Sequence, residues 1–194
     1  MTQSTPQRQQ LIDIFLEKNQ QLNLSAIRDP DWVRKKHVLD SLELSKIITF
    51  LPKTTCLDLG TWGGFPLLPL AITYPQVRFT GLDARKKKVE AVNQMINELG
   101  MKNARAVRGR AEEHTDRYDI VTARGVAYAD ELFRRTVPLV KKEWTLCLYK
   151  KRSQEEDDRI LTIMRQKNLT PLSVHHYHLP DDENNPRVLY VFKK

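Results

Sequence analysis

At 194 residues the chain has room for one domain, or one domain with a short helical extension, and for a sizeable core. Its 40% hydrophobic and 29% charged content fits an ordinary soluble globular protein, and no apolar stretch is long enough to span a membrane. Lys and Arg outnumber Asp and Glu by 32 to 24, a formal charge of +8 that serves solubility or draws the protein to a polyanion. The only two cysteines, Cys56 and Cys147, fall in expected core strands and read as reduced, buried thiols rather than a disulfide or metal site. The N-terminus carries no signal-peptide pattern, so a cytoplasmic location is expected.

Thr5-Pro6 is a cap followed by a first-turn proline. With Leu11, Phe15 and Leu22 at helical spacing it predicts one amphipathic helix over 6–22. Asn23 to Arg28 reads as a polar loop. Asp29-Pro30 then starts a second helix with Trp32, Val33, Leu39, Leu42, Ile47 and Ile48 on its inner side, broken near Asp40-Ser41. Leu51-Pro52 ends this leader, giving a helical extension over 1–52 and one compact unit over 53–194.

From Thr55 the pattern alternates strand and helix. Cys56 to Leu59 is a short buried strand that breaks into a turn bearing Gly60, Gly63 and Gly64, and Pro66 opens a helix. A strand over Val77–Asp83, a helix from Ala84 to Leu99 closed by Gly100, and strands at Ala104–Arg108 and Tyr118–Ala123 follow. Then come a helix near 129–141, a strand over Trp144–Lys150, and a Ser153-capped helix to Lys167. Strands at Leu172–His178 and Arg187–Phe192 close the chain as a hairpin. The whole is an α/β fold, a parallel sheet finishing in an antiparallel edge.

The glycine turn lets backbone approach a ligand, and Asp58 puts a carboxylate near the carboxyl end of the first strand, where ligands of such sheets collect. Asp83 ends the second strand 23 residues after Gly60, the position of an acid that accepts from ribose hydroxyls. It could equally cap the helix that follows, and the two roles can coexist. A nicotinamide dehydrogenase would need GxGxxG, which Gly60-Thr-Trp-Gly63-Gly64 is not. S-adenosylmethionine carries no phosphate, so a permissive turn, the ribose acid and an adenine contact at Gly109-Arg110-Ala111-Glu112-Glu113 suffice.

Several short strings, in one order from about Asn19 onward, resemble the RsmG (GidB) methyltransferases. That family methylates N7 of a guanine in small-subunit ribosomal RNA using S-adenosyl-L-methionine. Asn23-Leu-Ser-Ala-Ile-Arg28-Asp29 resembles the family's NLT-x-IRD, His37-Val-Leu-Asp40-Ser41-Leu42 its HILDS, and Asp58 to Leu70 its DLGTGGGFPGLPL. Leu82-Asp83, Arg110-Ala-Glu112-Glu113, Val121 to Ala127 and Leu148-Tyr-Lys150 resemble the LDS, RAEE, VTARAVA and LKG stretches. The resemblance implies a Rossmann-like class I methyltransferase with a seven-stranded sheet, an antiparallel C-terminal hairpin and an N-terminal helical extension. It implies that Asp58, Gly60, Gly64, Phe65, Ala111, Glu112 and Arg124 surround the cofactor, with Asp83 on its ribose. Asn23, Arg28, His37, Asp40, Ser41 and Lys150 fall in segments that line the substrate side. The implied partner is small-subunit ribosomal RNA or a ribosomal particle, met by a monomer with no membrane contact.

The sequence departs from the family where Trp62 replaces the second glycine of the turn, Leu67 a later one, Lys18 a tryptophan and Lys151 the last glycine of LKG. At Trp62 either the indole swings outward and stacks on cofactor or RNA, or the site is impaired. The impaired case would leave an RNA-binding or ribosome-assembly relative, and a methyltransferase for another substrate is a further alternative. Guanine N7 has a free lone pair, so no general base is required and none is assigned. An arginine on O6 and N7 would block the reacting atom. Arg124 is therefore expected to orient cofactor or phosphate, and Asp40 either accepts from the guanine N1–H and 2-amino group or is a structural carboxylate at the helix break. Of the basic runs, Arg34–Lys36, Arg85–Lys88, Lys141-Lys142 and Lys150–Arg152, the last is expected along the RNA path. His175, His176 and His178 read as edge-strand surface rather than a metal site, because alternation puts His175 on the other face.

Overall fold

Thr5 caps the first helix, its hydroxyl accepting the Arg8 N–H, and α1 (Pro6–Leu22) runs until Asn23 turns left-handed at φ 48°. The computed structural model describes residues 5–125, 127–167 and 171–193, so Val126 of the Val121–Ala127 string and the first four residues of the extension lie outside it. Asp29 caps α2 (Pro30–Val33) by accepting the Trp32 N–H at 2.8 Å. The chain continues through a π-helical turn (Arg34–Leu39), α3 (Asp40–Leu42) and a 3-10 turn (Glu43–Lys46). The expected second helix is thus wound unevenly from Arg34 on, not simply broken at Asp40-Ser41. A π turn widens the spiral by one residue and re-aims the side chains on it. Here those are Lys35, Lys36 and His37.

The strands are β1 (Thr55–Leu59), β2 (Arg78–Asp83), β3 (Ala104–Arg108), β4 (Tyr118–Arg124), β5 (Val140–Lys151), β6 (Pro171–Tyr177) and β7 (Arg187–Lys193). They form one sheet in the order β3-β2-β1-β4-β5-β7-β6. β1 to β5 pair in parallel, and β7 inserts antiparallel between β5 and β6. Crossovers carry α4 (Leu67–Thr73), α5 (Lys86–Glu98), α6 (Ala129–Thr136) and α7 (Gln154–Lys167). The expected helix over 129–141 stops early because Pro138 has no N–H to continue it. A 3-10 turn (Val137–Leu139) leads straight into β5, which starts before the expected Trp144.

Alternation along the central strands feeds two cores. On one face Cys56, Phe79, Cys147 and Val191 pack with α4, α5 and the N-terminal residues Leu11, Phe15 and Leu24. On the other, Leu57, Val121, Leu146 and Tyr190 pack with Leu132 and Phe133 of α6 and Ile160 and Ile163 of α7. Both cysteines are buried and free. Lys18, in place of the family tryptophan, pairs with Glu98 at 2.8 Å and ties α1 to α5. The extension therefore covers one face of the sheet and reaches its carboxyl end.

Candidate functional site

At the carboxyl ends of β1, β2 and β4 lies a cavity of about 750 Å³, bordered by Gly60, Trp62, Phe65, Leu82, Asp83, Ala111, Glu112 and Arg124, with Lys36, His37 and Asp40 facing from the extension. The turn after β1 builds its floor. The Gly60 N–H donates to Leu82 O at 2.7 Å and the Gly64 N–H to Thr61 O at 2.7 Å, which folds the chain back on itself. Gly64 stands at φ +88°, and a Cβ there would lie 2.5 Å from Leu68 Cδ1, so only glycine fits. Trp62 keeps the left-handed backbone, φ 53°, despite its side chain. Its indole leaves the turn, is 37% exposed and borders the cavity.

Asp83 joins two loops. One carboxylate oxygen accepts the Trp62 N–H at 3.1 Å and the other the Arg85 N–H at 2.9 Å. It thus holds the start of α5 and the glycine turn while presenting an anionic edge to the cavity. Glu112, on a 3-10 turn (Ala111–Glu113) after β3, is paired with Arg135 at 3.3 Å.

Two residues expected beside the cofactor do not border the cavity. Gly64 is one, since it serves the turn from behind. Asp58 is buried beneath the turn, where it accepts from the Thr122 hydroxyl at 3.1 Å. Burial pushes its carboxyl up to about 6, against the opposing pull of the Thr61 and Thr122 hydroxyls, the Arg124 charge and the Leu67 N–H. Its work is local, holding the turn to the start of α4.

The N-terminal face carries a buried ionic knot. Asp40 is 0% exposed. One of its oxygens accepts from Tyr177 Oη at 2.7 Å, and the other from Arg124 at 2.9 Å and Arg187 at 3.3 Å. Fully buried and holding three donors on its two oxygens, Asp40 is closed to a guanine edge where the part-exposed Asp83 is not, and the structural reading of this carboxylate replaces that expectation. Arg124 also donates to Lys36 O at 3.1 Å and stands 5.8 Å from the Phe65 ring centre. It is a brace between sheet and extension rather than a loose cation.

His37 stacks on Phe65 with ring centres 4.9 Å apart. Ser25 Oγ accepts the Ile27 N–H at 3.1 Å, so its own proton points to His37 Nε2, also 3.1 Å away. That leaves Nδ1–H to donate to Lys36 O at 3.2 Å. Burial, reinforced by the Arg124 charge, depresses this imidazole to about 3, so it is neutral at physiological pH.

Four residues expected on the substrate side lie off the cavity. Asn23 and Arg28 are exposed beside it and bonded to each other at 2.6 Å. Ser41 is buried, donating to His37 O at 2.5 Å. Lys150 is buried and paired with Glu156 at 2.9 Å, with Ala127 O as a second partner. Burying an ammonium requires such a pairing, so the lysine turns inward instead of facing RNA. Sequence reasoning missed Asn19, whose amide shapes the 23–28 loop by accepting the Ser25 N–H and donating to Ile27 O. It also missed Tyr177 and Arg187, which complete the knot from the hairpin. No local pattern marks either one.

Among the described residues no group of His, Cys, Asp and Glu is arranged to hold a metal ion. His175 faces inward to Glu43 at 3.1 Å, while His176 and His178 are exposed, as the alternation requires.

Comparison with known proteins decides what this arrangement belongs to. A family model described as rRNA small subunit methyltransferase G, GidB, matches residues 4–185. The chain belongs to this family. A family member from Trichormus variabilis is 32% identical over 95% of this chain and 80% of its own length. One from Lachnoclostridium phytofermentans is 39% identical, the match covering 71% of this chain and 60% of that protein. A solved S-adenosylmethionine-dependent methyltransferase from Aquifex aeolicus shares the fold, with TM-score 0.63 at 16% identity over 91% of this chain and 97% of that one. The family is one of S-adenosylmethionine-dependent enzymes, and the seven-stranded sheet with its antiparallel hairpin is the architecture expected of it. The residues present suit that cofactor. The turn lets backbone in close, Asp83 offers acceptors at the end of β2, and the cavity has the volume for a ligand of this size.

Proposed function

We propose that this protein transfers a methyl group from S-adenosylmethionine to N7 of a guanine in small-subunit ribosomal RNA, acting as a cytoplasmic monomer on the RNA or a ribosomal particle. The family match over nearly the whole chain carries this reading, with the cavity at the sheet's carboxyl end supplying its site. In this reading residues 53–194 form the methyltransferase unit and 1–52 the substrate-facing extension.

When bound, the cofactor supplies an electrophilic methyl on a sulfonium. Methylation at N7 would leave the guanine cationic and would call for no proton transfer by the protein. The protein's residues need only bind, orient and exclude water. Asp83 and Glu112 hold the adenosyl portion, the glycine turn leaves room for the rest, and the Asp40 knot fixes the extension against the sheet. His37 is neutral with both nitrogens engaged, and the reaction asks no proton transfer of it.

Seven basic side chains border the cavity against three acids, which favours an approaching phosphate backbone. Trp62 favours the enzyme over a cofactor-impaired relative, because its backbone keeps the left-handed turn and its indole stays out of it.

The test pairs calorimetry with labelled methyl transfer to an unmodified small-subunit rRNA transcript and to unmodified particles. Asp83→Ala and Glu112→Ala are expected to weaken cofactor binding, the former by about 1–3 kcal/mol, the cost of leaving a buried donor unpaired. Cofactor binding unchanged in both variants would remove the site, and no transfer by the wild type would remove the activity.

A further inference from the structure

We propose that the Trp62 indole is a stacking platform for the base that receives the methyl group, a role resting on the function proposed above. Four observations place it there. Its backbone sits at φ 53°, a left-handed conformation that Cβ sterics disfavour for an L-residue, in a turn otherwise rich in glycine. The Trp62 N–H is held by Asp83, which fixes the backbone from which the side chain leaves the turn. The ring meets His37 edge-on, with centres 6.1 Å apart and planes at 84°, which extends the Phe15–Phe65–His37 aromatic chain to the cavity. Lys88 Nζ stands 4.9 Å from the ring centre, so this ring already attracts a positive charge.

Topology separates the base from the cofactor's adenine. Asp83 and Glu112 follow β2 and β3, on one side of β1, whereas Arg124 ends β4 on the other and bonds there to Lys36 and Asp40 of the extension. Trp62 follows β1 itself and leans on His37 of the extension. An adenosyl group held by Asp83 and Glu112 therefore leaves the His37 side of the indole to the second reactant. The chemistry fits that reactant well. Guanine alkylated at N7 becomes a planar cation, and an indole attracts cationic partners more strongly than neutral ones. The platform thus binds the neutral base and gains further affinity as charge develops, so its loss raises the KM for RNA and lowers kcat as well.

The experiment compares wild type, Trp62→Gly and Trp62→Phe on an unmodified small-subunit rRNA transcript, with S-adenosylhomocysteine binding measured by calorimetry. Trp62→Gly should raise the KM for RNA roughly tenfold, in line with the loss of one base stack. Its S-adenosylhomocysteine Kd should stay within about twofold of wild type. Trp62→Phe should recover most of the loss. In a Trp32→Phe/Trp144→Phe protein, Trp62 fluorescence should be quenched saturably by 7-methylguanosine monophosphate, more tightly than by guanosine monophosphate, with S-adenosylhomocysteine present. If that double variant misfolds, the same quench is read as wild type minus Trp62→Gly. An unchanged KM for RNA in Trp62→Gly would overturn the platform, as would tighter cofactor binding in that variant, which would mark the indole as an obstruction. Quenching by S-adenosylhomocysteine alone would assign the ring to the cofactor instead. A wild type that transfers no methyl group would fail the functional reading, while the mononucleotide quench would still report on the platform.

Discussion

Two clusters border the same cavity and are built on opposite plans. In the Asp40 knot both carboxylate oxygens are occupied, and the partners come from β4, β6 and β7. At the Trp62 turn the backbone is held by Asp83 but the ring is open and the conformation is disfavoured. The first spends its polarity on the fold and has little left for a ligand. The second carries strain and exposed surface that packing alone does not explain, and such places are drawn to function. A polar residue at the edge of a site is thus judged by what its atoms still have free, not by its distance from the cavity.

Removing Asp40 breaks the comparison most forcefully. Asp40→Ala removes the counter-charge of the half-buried Arg124, leaves Arg187 only Asp182 at 3.8 Å, and strips Tyr177 of its acceptor, and is expected to cost about 3 kcal/mol in urea unfolding. Trp62→Gly should stay within about 1 kcal/mol of wild type, since relief of the left-handed backbone offsets the lost contacts. Equal losses would erase the distinction between anchor and platform.

Titration sharpens it from within the buried layer. Asp58 is raised in the folded state to about 6, so the folded protein holds a proton that the unfolded chain has released, and stability falls as pH rises from about 4 to 6. Asp58→Asn lacks that loss. Its unfolding free energy, relative to wild type, should climb by about 2–3 kcal/mol between pH 4 and pH 7. His37 has the reverse sign. Depressed to about 3, it contributes stability above its ordinary value near 6.5 that drains away as pH falls toward 3. His37→Gln should therefore gain on wild type as the pH is lowered. A flat difference for either variant would mean that its group is not buried as described.

Much of the fold was legible because local chemistry and burial agree. Thr5-Pro6, Asp29-Pro30, Gly100 and the alternating strands each announce themselves within a few residues. The helix over 129–141 ran too far because apolar periodicity outweighed Pro138, and the π turn had no signal beyond a vague break. The lining of the candidate cavity was legible only in part. Gly60, Asp83 and Glu112 lie next to strand ends, where topology alone predicts ligand. The fates of Asp40 and Lys150 were not, because each depends on distant partners. Tyr177 and Arg187 return from the hairpin to Asp40, and Glu156 on α7 draws Lys150 inward. Residue type records that a charge is present but not which way it turns.

The smallest expected effect concerns where RNA lies, and Lys150 is the reason it moves. With that lysine withdrawn, the exposed cations at the cavity mouth are those at the ends of β2 and β3, Arg85 and Arg110. Each phosphate contact on a single strand contributes a slope of about 0.7 to the fall of log affinity with log salt. Arg85→Ala/Arg110→Ala should lower the measured slope by about 1.4 if both contacts are real. Lys150→Ala should leave it unchanged and destabilise the fold instead, because the buried Glu156 loses its counter-charge and keeps only the Ala129 N–H. Lys102→Ala tests the other end of the sheet, where Lys102 borders a separate cleft with Arg78, Arg105 and Arg117. Its slope should match wild type. If Lys102→Ala lowers the slope as much as a change at the mouth does, RNA is held by the overall +8 charge rather than by the open side of the cavity.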